Sequence, residues 1–92
     1  AAKGANMTFT RALALECANT GVLVNAVAPG VTNTDLLTPL AQEVLDGLKA
    51  AIPLGRFGDV EEIAPAALLL ASDGGSFFHG TCISPNGGEV ML

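Results

Sequence analysis

Gly21-Val22-Leu23-Val24-Asn25-Ala26-Val27-Ala28-Pro29-Gly30 is the stretch on which the fold turns. Its middle, Val22 to Val27, is short, apolar and rich in β-branched residues. It is bounded by a glycine on one side and a Pro-Gly pair on the other. A run apolar on both faces reads as a buried strand, of the parallel kind. Upstream, residues 2 to 18 are dominated by Ala, Leu, Met, Arg and Glu, which favour helix, and Gly21 is placed to stop it. Ala5, Phe9, Ala12, Leu13 and Leu15 put apolar groups on nearly every side, so the helix is expected to be buried on several faces. Helix followed by buried strand predicts α/β architecture.

Downstream the punctuation is clear. Thr32 to Pro39 reads as a loop of turn and capping residues. Thr38-Pro39 opens a short helix to about Ala51, with Pro39 in its first turn. Ile52 to Gly58 is again a loop. Asp59 then caps a firmer helix, with Glu62 three residues on completing an Asp-x-x-Glu capping box. Asp59, Glu61 and Glu62 also suit the positive end of the helix dipole. Pro65, at the sixth helical position, removes one backbone bond. Ser72-Asp73-Gly74-Gly75 ends the helix. Thr81 to Ser84 is a second short strand, broken by Pro85-Asn86-Gly87-Gly88.

The bulk numbers narrow the function classes. The chain has 92 residues and a net charge of −5, with 50% hydrophobic and 14% charged residues. A chain of this size buries only roughly 60–65% of its unfolded surface. So many apolar residues predict faces meant for other parts of a larger body. The acidic balance and the scattered Lys3, Arg11, Lys49 and Arg56 argue against nucleic acid. No apolar run approaches the roughly 18 residues of a membrane span. Cys17 and Cys82 show no metal spacing and read as buried small hydrophobes. No metal site is expected, and no signal peptide opens the chain, so cytoplasm is the expected compartment. The opening Ala1-Ala2-Lys3 has neither methionine nor helix cap, which predicts a chain that begins inside an element.

Taken in order, these segments resemble the short-chain dehydrogenase/reductase family. Ala-Ala-Lys3 followed by Thr10-Arg11-Ala12-Leu13-Ala14-Leu15-Glu16 resembles the segment after that family's catalytic tyrosine. Gly21 to Gly30 resembles its sixth strand and Pro-Gly turn. Ile52-Pro53-Leu54-Gly55-Arg56-Phe57-Gly58, Glu61-Glu62-Ile63-Ala64 and Leu70-Ala71-Ser72-Asp73 resemble its next loop and helix. Gly80 to Gly88 resembles its last strand, with Asn86 where the family has Asp. Within the family the likeness is to 3-oxoacyl-[acyl-carrier-protein] reductases and their sugar and polyol dehydrogenase relatives.

The resemblance implies a C-terminal portion of a Rossmann-type doubly wound parallel sheet. This portion would hold two strands, two main helices and a short lid helix, in a single partial domain over residues 1–92. It implies NAD or NADP as the cofactor of the intact enzyme, and none bound tightly by these residues alone. Lys3 takes the place of the family's catalytic lysine, which lowers the pKa of a tyrosine and hydrogen-bonds the nicotinamide ribose. The sequence contains no tyrosine. Pro29 and Gly30 form the cofactor-side turn, at the strand end where open α/β sheets bind ligands. The backbone of Thr32 falls where the family contacts the nicotinamide carboxamide. The hydroxyl of Thr34 falls where it reaches the pyrophosphate, or simply caps a turn. Residues 35–51 match the variable substrate lid, and Leu36, Leu37, Leu40 and Leu48 either line an apolar pocket or pack a helix. Asn25 is expected to bond locally, His79 to be structural or surface, and Phe77 and Phe78 to be core or interface.

Two readings follow. The residues form the C-terminal part of an oxidoreductase moving hydride between nicotinamide and a carbonyl or alcohol. Alternatively they form a non-catalytic association module. The expected partners are the missing N-terminal half of the same fold and further copies of the chain. Copies would meet through helix 2–18 and the last helix and strand.

Overall fold

The computed structural model describes the backbone of residues 2–90 and the side chains of residues 4–90. Helix α1 spans Ala2–Cys17 and strand β1 Ala26–Val27. A 3-10 turn over Asp35–Leu37 precedes helix α2, Gln42–Ala50. Helix α3, Val60–Ala71, is followed by a second 3-10 turn, Asp73–Gly75, and by strand β2, Cys82–Ile83.

β1 and β2 pair in parallel, Ala26 with Cys82 and Val27 with Ile83. The crossover between them carries α2 and α3, as a parallel pair requires. This is α/β pairing as expected; a doubly wound sheet needs more strands than two.

Both strands are shorter than the six and four residues expected; at the entry side chains are the reason, and beyond Ile83 it is Pro85, which has no N–H to donate. The Val24 N–H donates to His79 Nδ1 at 3.2 Å, and the Thr81 N–H donates to Asn25 Oδ1 at 3.0 Å. Side chains thus take over two ladder positions where the strands enter, beside one backbone bond from the Gly80 N–H to the Val24 carbonyl (2.7 Å). Backbone pairing resumes beyond them. Ala26 N–H donates to the Thr81 carbonyl (2.9 Å), Ala28 N–H to Ile83 (2.9 Å) and Gly30 N–H to Pro85 (3.1 Å). Asn25 also donates to the Phe78 carbonyl at 3.0 Å. Its bonds are therefore long-range, not local as expected from sequence. His79 Nε2 lies 2.6 Å from the Ala14 carbonyl oxygen. Since Nδ1 accepts from Val24, Nε2 carries the proton and donates. One imidazole thereby ties α1 to the entry of β1.

The second helix begins later than expected. Leu37 N–H donates to Thr34, Thr38 N–H to Asp35 and Leu40 N–H to Leu37, each three residues back. These bonds tighten 35–40 into turns, and Pro39 has no N–H with which to continue. Ala41, extended at ψ 150°, is the residue from which α2 starts. The α3 boundaries match expectation. The Asp59–Glu62 capping box forms, and Glu62 Oε1 accepts the Asp59 N–H at 3.1 Å. Pro65 lies inside α3 without ending it.

The core is small. Among the described residues, Ala14, Ile52 and Phe57 are the buried apolar ones, joined by Thr10. Ala14 sits under the Gly80 backbone, and Ile52 under Gly87. Expectation fails on two counts here. α1 leaves Phe9 exposed and Leu15 80% exposed, and Cys17 and Cys82 are free and half-buried rather than buried. Phe77 is fully exposed, which removes it from the core. The accessible surface is 6337 Å², against about 4,900 Å² for a monomer of this mass. The radius of gyration is 15.3 Å, against about 12 Å for a compact domain of this length. Both exceed what a compact domain of this length gives.

Candidate functional site

The site expected from sequence lies where β1 delivers the chain to its carboxyl end. Gly30 donates to the Pro85 carbonyl, and a Cβ at Gly30 would stand 2.7 Å from the Asn86 Cα. Only glycine permits that approach. Beyond Gly30 the chain turns to meet the loop before α3. Thr32 bridges Gly58 in parallel; Gly58 N–H donates to the Val31 carbonyl (3.0 Å) and Asn33 N–H to the Gly58 carbonyl (2.8 Å). Asn33 Nδ2 also donates to Asp59 Oδ1 at 3.1 Å, pinning the turn to the start of α3. Residues 29–34 are thus held on both flanks, by the Pro85-Asn86 turn and by the Gly58-Asp59 turn.

Within that frame each expected residue has a definite state. Pro29 is exposed. The Thr32 hydroxyl donates to the Gly30 carbonyl at 2.9 Å, so the side chain stiffens the turn. No hydrogen bond among the described residues uses the Thr32 N–H. Thr34 precedes the 3-10 turn with extended backbone, yet its hydroxyl makes no capping bond. Among the described residues the turn therefore leaves one backbone donor and one hydroxyl without a hydrogen bond, at a strand's carboxyl end. A donor set of this kind suits a carbonyl or an anionic oxygen. The side chain of Lys3, the expected catalytic lysine, lies outside the described residues.

Two cavities flank the turn. A larger one, about 540 Å³, runs between α1 and the strand ends, bordered by Met7, Phe9, Ala28, Pro29, Cys82 and Ser84. A smaller one, about 180 Å³, lies between the turn and α3, bordered by Val31, Arg56, Gly58, Glu62, Ile63 and Asn86. None of Leu36, Leu37, Leu40 or Leu48 borders either cavity. Leu36 is 83% exposed, and Leu37 and Leu48 are half-buried.

Sequence reasoning missed one charged pair beside the smaller cavity. Arg56 Nη1 and Nη2 donate to Glu62 Oε1 and Oε2 at 2.6 and 2.8 Å. The two-pronged bond from Arg56, with the Asp59 N–H, holds the Glu62 carboxyl down at about 2. Arg56 is raised in turn, first by the same hydrogen bond. No helical spacing flags this pair, because Arg56 stands in the loop and Glu62 in the first turn of α3. The phrase Pro53-Leu54-Gly55-Arg56 was visible in the sequence, but its partner was not.

Ser84 and Asn86 are the other residues that sequence undervalued. Ser84 Oγ donates to the Ala28 carbonyl at 2.7 Å, and Asn86 Nδ2 donates to Ser84 Oγ at 2.9 Å. Among the described residues no group of His, Cys, Asp or Glu is placed to hold a metal, and no helix is long and apolar enough to cross a membrane.

Comparison with known proteins gives this geometry a family context. Residues 1–89 match the family model described as enoyl-(acyl carrier protein) reductase. The chain is 45% identical over 91 residues to the 3-oxoacyl-[acyl-carrier-protein] reductase FabG of Pseudomonas aeruginosa, covering 99% of this chain and 37% of that protein. It is 42% identical over 93 residues to the acetoacetyl-CoA reductase of Shinella zoogloeoides, covering 100% of this chain and 39% of that protein. It is 42% identical over 92 residues to a glucose and ribitol dehydrogenase homolog of Oryza sativa, covering 99% and 31%. The chain therefore spans less than two-fifths of the length of these curated relatives.

Proposed function

The chain belongs to the short-chain dehydrogenase/reductase family, and from that premise we propose that it supplies the C-terminal part of an NAD(P)-dependent reductase of 3-oxoacyl thioesters. The observation that carries this reading is the turn Pro29–Thr34, braced on both flanks, whose Thr32 N–H and Thr34 hydroxyl make no hydrogen bond among the described residues. The nicotinamide group, when bound, supplies the hydride. The chain's own residues orient it: the Thr32 N–H toward the carboxamide, the Thr34 hydroxyl toward the pyrophosphate, Pro29 and Gly30 shaping the approach. Lys3 is proposed as the ammonium that lowers a tyrosine's pKa and holds the ribose, with the tyrosine outside these 92 residues. Leu36, Leu37 and Leu40 are proposed as the apolar side of a lid over residues 35–51, closing once the rest of the fold is in place. Identity to reductases named for acyl-carrier-protein and CoA thioesters supports the substrate class.

A doubly wound sheet is proposed for the complete fold, with β1 and β2 at one end of it. Exposed Phe9 and Leu15 on α1, Leu68 and Leu69 on α3, and Phe77 support a second role in association, with the rest of the fold or with further copies. The free thiols of Cys17 and Cys82 suit a reducing compartment, so the cytoplasm is proposed. The test is a fluorescence titration with NADH and NADPH. The natural polypeptide that carries these residues should bind one of them at micromolar concentration, and the isolated 92 residues neither. Failure of the natural polypeptide to bind either dinucleotide sinks the proposal.

A further inference from the structure

We propose that Asn86 is a positioning residue for the cofactor-side turn, acting through Ser84 on the Ala28 carbonyl. The inference rests on the reading of Pro29–Thr34 as the nicotinamide contact. Its basis is the direction of a chain of hydrogen bonds, which the structure determines without ambiguity.

Asn86 Oδ1 accepts the Gly88 N–H at 2.8 Å, and Nδ2 donates to the Val90 carbonyl at 2.7 Å. A backbone N–H can only donate and a carbonyl can only accept, so these two bonds fix which end of the amide is which. Nδ2 therefore faces Ser84 Oγ as a donor, at 2.9 Å. A serine hydroxyl has one hydrogen. With Asn86 donating to its oxygen, that hydrogen is directed to the Ala28 carbonyl, 2.7 Å away. Ala28 immediately precedes Pro29. The same turn also receives the Gly30 N–H at Pro85, and its Gly87 carbonyl accepts the Leu54 N–H at 3.2 Å. Ala28 and Gly30 are thus gripped by consecutive residues of one turn, whose shape the Asn86 amide sets.

The amide is what this arrangement needs. An aspartate in its place would still accept from Gly88. It could not donate to Ser84 or to Val90, and it would draw the Ser84 hydrogen away from Ala28. A family pattern of Asp-Gly-Gly would therefore hold the turn differently from the Asn-Gly-Gly present here.

The test uses the natural polypeptide with Asn86→Ala, Asn86→Asp, Ser84→Ala, Ser84→Thr and the double alanine variant. Two readouts are followed: the dissociation constant for NADPH and amide hydrogen exchange at residues 28–32 in the ligand-free protein. Asn86→Ala, Asn86→Asp and Ser84→Ala should each weaken binding about tenfold, the size of one lost hydrogen bond. Each should speed exchange at Gly30 while leaving the amides of α3 unchanged. Ser84→Thr keeps the hydroxyl and should bind as the unsubstituted protein does. The double alanine variant should be no weaker than the weaker single one, because the two residues act in series. Binding within twofold of the unsubstituted protein in all variants overturns the relay, as does exchange that rises equally across α3. If the unsubstituted protein binds neither NADH nor NADPH, the functional reading itself fails and the relay's role fails with it.

Discussion

Glu62 takes part in three hydrogen bonds at once, two from Arg56 and one from the Asp59 N–H. They hold its carboxyl at about 2, below its ordinary 4.5. A carboxylate depressed in the folded state stabilises that state above its ordinary pKa and stops doing so as pH falls through the folded value. Thermal melts should therefore lose stability between about pH 4.5 and about 2. Glu62→Gln should be less stable than the unsubstituted protein at neutral pH, and the two should converge near the acid end. Both side chains of the pair are largely exposed, so solvent screens the effect and keeps it modest. Gly30 makes a larger demand on a single position. A methyl there would stand 2.7 Å from the Asn86 Cα and 2.9 Å from its Cβ, neither of which can swing aside. Gly30→Ala should cost about 1–3 kcal/mol, read as a shift in denaturant midpoint. A neutral outcome would mean that the two turns do not meet as described.

At the scale of elements, α3 shows how local signals and tertiary contacts combine. Asp59 was legible as a cap because a carboxylate followed three residues on by Glu satisfies two donors of the first turn. The structure adds that Asp59 also accepts from Asn33, across to the turn after β1. Asp59→Ala should thus cost about 1 kcal/mol through the cap. It should also speed amide exchange at Asn33, which a purely local cap would leave untouched. The strands show the opposite case. Their apolar runs predicted six and four residues, and regular pairing covers two of each. At the entry the difference arises because His79 and Asn25 supply ring and amide groups where backbone groups would pair. Neither residue announces this in sequence, since the partners lie 55 and 56 positions away. His79→Ala should leave the Val24 N–H without its acceptor and loosen the end of α1. Exchange at Val24 should rise while the α3 amides stay protected.

At the scale of the molecule, the apolar composition and the exposed Phe77, Leu15, Leu68 and Phe9 point the same way. Apolar faces of this extent on a chain this short favour association. Light scattering on the isolated 92 residues should show oligomers or aggregates, whereas co-expression with the remaining part of the fold should give a discrete soluble complex. A monodisperse monomer of the isolated chain would count against the association role. The relatives it matches are more than twice as long as the segment matched here.

What the sequence determined by itself was whatever rests on local physics. Helix α3 and its cap, the parallel strand reading, the Pro29-Gly30 turn and the family likeness all depend on residues within a few positions of one another. Turn chemistry and hydrophobic period express those directly. What only the tertiary structure decided depends on groups far apart in the chain. It set the direction of the Asn86–Ser84–Ala28 hydrogen bonds, the His79 bridge from α1 to β1, the Arg56–Glu62 pair and the exposure of Leu36. Hydrogen bonds of this kind are selected by three-dimensional approach and by which atoms can donate. A linear pattern shows that Asn, Ser and His are present; only the fold shows which carbonyl each of them faces.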